Sequence, residues 1–154
     1  MDEERVPRDG AEQDGMMVYI DPNVIHSMAA VSAKKRAGLQ ELQSAAESGD
    51  LEAEYRLGIC YYEGSGGAEQ NDRQAFYWLD QAAEGGHIAA QYGAGLCWAG
   101  GVGTRQDFDR AAELYMAAAE QEYIPAVCEL GLCYEMGRGV PQDKDKALEL
   151  YRTA

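Results

Sequence analysis

One short phrase occurs three times along this chain: Leu57-Gly58-Ile59-Cys60-Tyr61, Ala94-Gly95-Leu96-Cys97-Trp98 and Leu130-Gly131-Leu132-Cys133-Tyr134. The copies stand 37 and then 36 residues apart, and self-similarity at that period predicts a solenoid of stacked helix pairs. Such a unit buries its apolar face only against its neighbours, so the architecture offers an extended surface rather than an enclosed catalytic pocket. The odd residue lies in a connection of the first repeat, where an insertion costs little.

The residues around the phrase repeat as well. A first helix is expected from about Leu51, Ile88 and Pro125, the proline being tolerated in a first turn. Glycine-rich connections follow at Gly64-Ser65-Gly66-Gly67, Gly100-Gly101-Val102-Gly103 and Gly137-Arg138-Gly139-Val140-Pro141. The second helices are announced by Gln70-Asn71, Gln106-Asp107 and Gln142-Asp143, a capping residue in each case. They carry Ala75, Ala111 and Ala147, each followed seven residues later by Ala82, Ala118 and Ala154; small residues on one side let helices approach closely.

Upstream of the repeats, residues 1–20 are rich in Asp, Glu, Gly and Pro, apart from the apolar Met16-Met17-Val18-Tyr19-Ile20, and read as a flexible acidic segment. Residues 21–50 read as an N-terminal capping helix region. Asp21-Pro22 makes a helix start, Ile25, Met28, Ala29, Ser32, Leu39, Leu42, Ala45 and Ala46 keep helical spacing, and a break is expected near Lys34-Lys35-Arg36. Its ending, Ser44-Ala45-Ala46-Glu47-Ser48-Gly49, matches Gln81-Ala82-Ala83-Glu84-Gly85-Gly86 and Ala117-Ala118-Ala119-Glu120-Gln121-Glu122. The segment therefore stands where the second helix of a preceding repeat would stand.

These residues resemble the Sel1-like repeat, a relative of the tetratricopeptide repeat. Repeat three matches its pattern nearly word for word in Ala126, Leu130-Gly131, Tyr134, Gly139-Val140-Pro141-Gln142-Asp143 and Ala147-Leu148-Glu149-Leu150-Tyr151. Repeats one and two depart locally: Ala94 replaces the Leu before Gly95, Trp98 replaces the Tyr, and Gly66-Gly67-Ala68 lacks Val-Pro. The resemblance covers about residues 40–154 and implies an all-α, right-handed superhelix of three helix-turn-helix repeats at 51–87, 88–123 and 124–154. It also implies that the first helices line a concave face and that the chain is an adaptor or scaffold. Carried onto this sequence, the face comprises Glu52, Tyr55, Ile59, Tyr62 and Glu63, then Ala89, Tyr92, Leu96, Ala99 and Gly100, then Pro125, Cys128, Leu132, Glu135 and Met136. Exposed tyrosines supply rigid amphipathic contact area, and these could equally pack against neighbouring helices. Tyr61, Trp98 and Tyr134 read as core.

Net charge is −14, from 27 acidic and 13 basic side chains. That field repels nucleic acid and anionic membrane and suits a basic protein or peptide, as well as serving solubility. Cys60, Cys97 and Cys133 recur in register and read as packing residues; Cys128 lies at no metal-ligand spacing. With no signal peptide or spanning segment visible, the expected location is cytoplasmic. His26 and His87 are the two histidines; the turn position of His87 is held elsewhere by Asp50 and Tyr123 and looks simply variable. Neither a nucleophilic pair nor a phosphate loop stands out, and no metal or cofactor is called for, so a non-enzymatic binding protein is expected. Two alternatives stay open: an immunity-type inhibitor neutralising one effector, and, more remotely, a hydrolase like cysteine-rich relatives of the family. Because no polar cap follows Ala154, Leu148, Leu150 and Tyr151 suggest self-association through the last repeat.

Overall fold

A computed structural model describes residues 22–154 of the chain. The acidic segment 1–20, its apolar stretch and the Asp21 cap lie outside the described residues, as do the side chains of Ile25, His26, Met28 and Ala29. Seven helices follow in order: α1 (Pro22–Glu47), α2 (Leu51–Glu63), α3 (Asp72–Glu84), α4 (Ile88–Gly100), α5 (Phe108–Ala119), α6 (Ile124–Met136) and α7 (Lys144–Thr153). Among the described residues there is no strand, and the fold is an all-α repeat solenoid.

Two units divide the chain between Lys34 and Lys35. In the first, the described start of α1 is solvent-exposed at Ser27 and from Ala30 through Lys34. The break expected near Lys34-Lys35-Arg36 is not found: α1 is one helix from Pro22 to Glu47, Lys and Arg being good helix formers. The second unit, residues 35–154, holds the repeats.

Within that unit the recurring phrase does three jobs in each repeat. Its cysteine carbonyl accepts the N–H of the C-cap glycine (Cys60 from Gly64, Cys97 from Gly101, Cys133 from Gly137), with φ at 71°, 69° and 67°. In that left-handed region glycine is the natural occupant. Its aromatic carbonyl (Tyr61, Trp98, Tyr134) accepts the N–H of the next helix's N-cap residue, Asn71, Asp107 or Asp143, at 2.8 Å. Those caps in turn accept from Gln74, Arg110 and Lys146 N–H groups. Its glycine makes room for the partner helix: a Cβ at Gly58, Gly95 or Gly131 would lie 2.8, 2.6 and 2.6 Å from Leu79, Tyr115 and Tyr151.

Successive repeats lock together through a second glycine. A Cβ at Gly103 would collide with the carbonyl of Asp72, and one at Gly139 with that of Phe108. Gly67 lies in the same way on Lys35 O, 2.9 Å from where its Cβ would sit. Lys35, Asp72 and Phe108 are 37 and 36 residues apart, so the α1 residues from 35 onward occupy the place of a preceding second helix. Gly67 rather than Gly66 docks because repeat one has the extra connection residue.

The core is built mainly from small residues: Ala75, Ala82, Ala90, Ala94, Ala111, Ala118 and Ala126 are all 0% exposed. Ala46 with Leu39, Leu42 and Ala45 packs on Ala53, Leu57, Tyr61 and Trp78, closing the first repeat. Ala154, by contrast, is exposed just past the end of α7. Tyr61, Trp98 and Tyr134 are half-buried rather than interior; Arg110 lies 5.3 Å over the Trp98 ring and Lys146 5.1 Å over Tyr134, covering their outer faces by cation–π contact.

Candidate protein-binding face

The first helices α2, α4 and α6 carry every residue of the expected face, and the structure sorts those residues into three roles. Tyr62, Leu96 and Met136 are open to solvent, with 51%, 40% and 53% of their surface exposed, and Leu132 beside them is 42% exposed. These are large apolar groups left uncovered on consecutive first helices, the kind of surface that protein partners cover.

Tyr55 and Tyr92 behave differently. Both are half-buried, and each packs on the residue that starts the next first helix. Tyr55 stacks on His87, centroids 4.6 Å apart and planes inclined by 19°; Tyr92 meets Tyr123 at 5.6 Å and the Tyr115 ring at 6.2 Å. Burial, followed by smaller Coulombic contributions that include Glu52 and Glu63, raises the Tyr55 pKa. Burial, then Glu129, raises that of Tyr92. They are inter-repeat mortar as much as contact area, in line with the packing alternative that their sequence positions left open. The reading of His87 is corrected. Its Nδ1 accepts the Ala90 N–H at 3.1 Å as the α4 N-cap, while Nε2 faces Glu52 Oε1 at 3.5 Å. The position is a capping site, filled in repeat one by Asp50, which accepts from Ala53 N.

At the other end of the face, Glu135 accepts a 2.8 Å hydrogen bond from the Tyr151 hydroxyl. Burial and this bond push the Tyr151 pKa up to about 12, so the donor stays protonated. Glu52 and Glu63 are exposed. Charge on the first helices is one-sided: Glu52, Glu63 and Glu135 are exposed and Glu129 half-buried, against the single cation Arg56, while Glu54 is buried.

Ile59, Tyr62 and Leu96 are brought together, joined by Leu79, Gly93, Cys97 and Val102, around an apolar groove of 320 Å³ between α2 and α4. Gly93, Leu79 and Val102 escaped the sequence reading. The available signal was the first-helix position that reads Arg56, Gly93 and Glu129 in successive repeats, which a search for repeated words passes over. The groove's lining is mainly apolar. Burial, then Asp72 and Asp80, push the Cys97 thiol up to about 11, far from a thiolate nucleophile. Among the described residues, no cluster of three or more His, Cys, Asp or Glu side chains could hold a metal ion. No helix there is long and apolar enough to cross a membrane.

A family model described as Sel1 repeat matches residues 51–87, 88–123 and 124–154. Among solved structures, a Sel1 repeat protein from Oxalobacter formigenes is 41% identical with a TM-score of 0.66, over 75% of this chain and 86% of that one. The protein c5321, a protective antigen present in uropathogenic Escherichia coli strains and displaying an SLR fold, is 35% identical with a TM-score of 0.71. That match covers 75% of this chain but only 24% of the antigen. Helicobacter pylori cysteine-rich protein B (hcpB) shares the fold at 20% identity and a TM-score of 0.59, over 80% of this chain and 87% of that chain. No curated protein matches the chain.

Proposed function

The chain belongs to the Sel1 repeat family, a fold that generally serves as a protein-interaction scaffold, and from that premise we propose that it is a non-catalytic adaptor capturing a protein or peptide on the α2–α4–α6 face. The observation that carries this reading is the coincidence, on one face, of exposed Tyr62, Leu96, Leu132 and Met136 with an excess of carboxylates. Apolar contact supplies affinity, and the surrounding negative field steers and selects a basic partner. A cytoplasmic location belongs to the same proposal; it is supported by four thiols that stand unpaired, as a reducing compartment keeps them.

The test is affinity purification from the native cell with the wild-type chain and with a Tyr62→Ser, Leu96→Ser, Met136→Ser variant, after circular dichroism shows unchanged helix content. The expected outcome is a defined protein retained by the first and lost from the second. Equal retention by both rejects this face. If the retained partner is an enzyme whose turnover falls on binding, the adaptor is of the inhibitor kind.

A further inference from the structure

The repeats keep one register, so the residues that line the groove between α2 and α4 can be compared with those at the equivalent positions of the next junction. At the α2–α4 junction the groove floor is formed by Gly93 and Leu79. One repeat further on, register places Glu129 and Tyr115 there. Both replacements are larger, and Tyr115 is 98% buried, being 2% exposed. The α2–α4 groove is thus lined by two residues, Gly93 and Leu79, that are smaller than their counterparts at the following junction.

Nothing in the packing requires Gly93. Its backbone is ordinary helix, and a Cβ there would meet Leu79 at 3.4 and 3.5 Å, which is normal van der Waals contact. Two residues on, Gly95 has no such latitude, since its Cβ would lie 2.6 Å from the Tyr115 ring. A glycine inside a helix is disfavoured relative to alanine, and the physical effect of this one is open space above Leu79.

We propose that this space is a socket for one large apolar side chain, Leu, Ile, Met or Phe, presented by a lysine- or arginine-bearing peptide segment of a partner protein. The proposal rests on the reading of the α2–α4–α6 face as the binding surface and adds what that surface selects. The socket is apolar in its walls, and its volume of 320 Å³ accommodates such a group. The charge around it defines the flanks. Glu52 and Glu63 stand exposed on α2 and Glu129 on α6, against one cation on the three first helices, Arg56 on α2. A basic residue beside the apolar anchor gains from that field and an acidic one is repelled.

A phage-displayed library of random 12-residue peptides, panned on the full chain, provides the probe, with selected peptides then measured by fluorescence anisotropy. The expected consensus is one large apolar residue with Lys or Arg within two positions. Gly93→Leu weakens binding by about tenfold or more and Gly93→Ala by about threefold, with melting temperatures no lower than wild type. Glu63→Lys weakens binding and flattens its salt dependence. If the peptides bind Gly93→Leu as tightly as wild type but are lost from Leu132→Ser with Met136→Ser, the socket is wrong and the face survives. Acidic peptides, or peptides without an apolar anchor, also overturn the socket. Failure to select any peptide sensitive to either set of changes overturns both.

Discussion

Alanine at Gly93 and alanine at Gly95 should move stability in opposite directions, although the two glycines share a helix and are two residues apart. Both substitutions gain the helix-propensity difference, about 1 kcal/mol. At Gly93 the new methyl meets Leu79 at a comfortable distance, so Gly93→Ala should stabilise by about 0.5–1 kcal/mol. At Gly95 it falls 2.6 Å from Tyr115 Cε1 and 2.9 Å from Cδ1. That ring is 2% exposed and held in a cluster with Ala111, Ala112, Leu130 and Cys133, so it has little room to retreat. Overpacking of this kind costs about 1–3 kcal/mol, leaving Gly95→Ala destabilised by about 1 kcal/mol. The difference of about 2 kcal/mol corresponds to roughly 8 °C between the melting temperatures for a unit of this size. Thermal unfolding followed at 222 nm by circular dichroism reads it directly. Shifts of the same sign, or a Gly95→Ala variant more stable than wild type, would refute the packing argument.

Among the described residues, Glu122 is the non-glycine with positive φ, at 59°, where the equivalent Gly49 and Gly86 have 96° and 97°; Glu122→Gly should therefore raise stability by about 1 kcal/mol, read in urea titrations. His87→Ala removes the α4 cap and the Tyr55 stack and should cost about 1–2 kcal/mol, whereas His87→Asn, which can still cap, should recover about half. Burial, then the Asp50 charge, raises the Glu54 pKa, and burial, then Glu84, raises that of Asp80. Groups raised on folding favour the folded state at low pH and lose that contribution as pH climbs through their folded pKa values. Melting temperature should accordingly rise as pH falls from neutrality towards the ordinary carboxylate range near 4.5, with a smaller rise in Glu54→Gln. Self-association through the α6–α7 end, where Leu148 is 50% exposed beside a 260 Å³ depression bounded by Glu135 and Tyr151, should appear as concentration-dependent mass in light scattering and vanish in Leu148→Ser; a constant monomer mass removes it.

The fold was legible because it rests on words that recur: the cap at Asp107, the carbonyl of Cys97 and the small side of Ala111 have counterparts 36 or 37 residues away. Repetition averages out the ambiguity of any single segment. What repetition hides is the part that does not recur. The difference between Gly93 and Glu129 was visible as letters, yet its consequence depends on Leu79 from another helix, and only three-dimensional register joins the two. Exposure was mixed in the same way. Tyr62 is open and Tyr55 is stacked, because the Tyr55 position faces the residue that begins the next repeat, and in this chain that residue is a histidine ring. The continuous α1 shows the remaining gap: a charge run at Lys34-Lys35-Arg36 reads like a boundary, but three helix-favouring cations on an exposed surface need no interruption.

The claim that binding occurs on the first-helix face is tested most directly by photo-crosslinking in the native cell from single positions. Tyr62 on α2 and Tyr77 on α3 are matched probes, 51% and 50% exposed respectively, one on a first helix and one on a second. A photoreactive phenylalanine at position 62 should give a discrete crosslinked protein species that position 77 does not give. The same species from both positions, or from position 77 alone, would contradict the account.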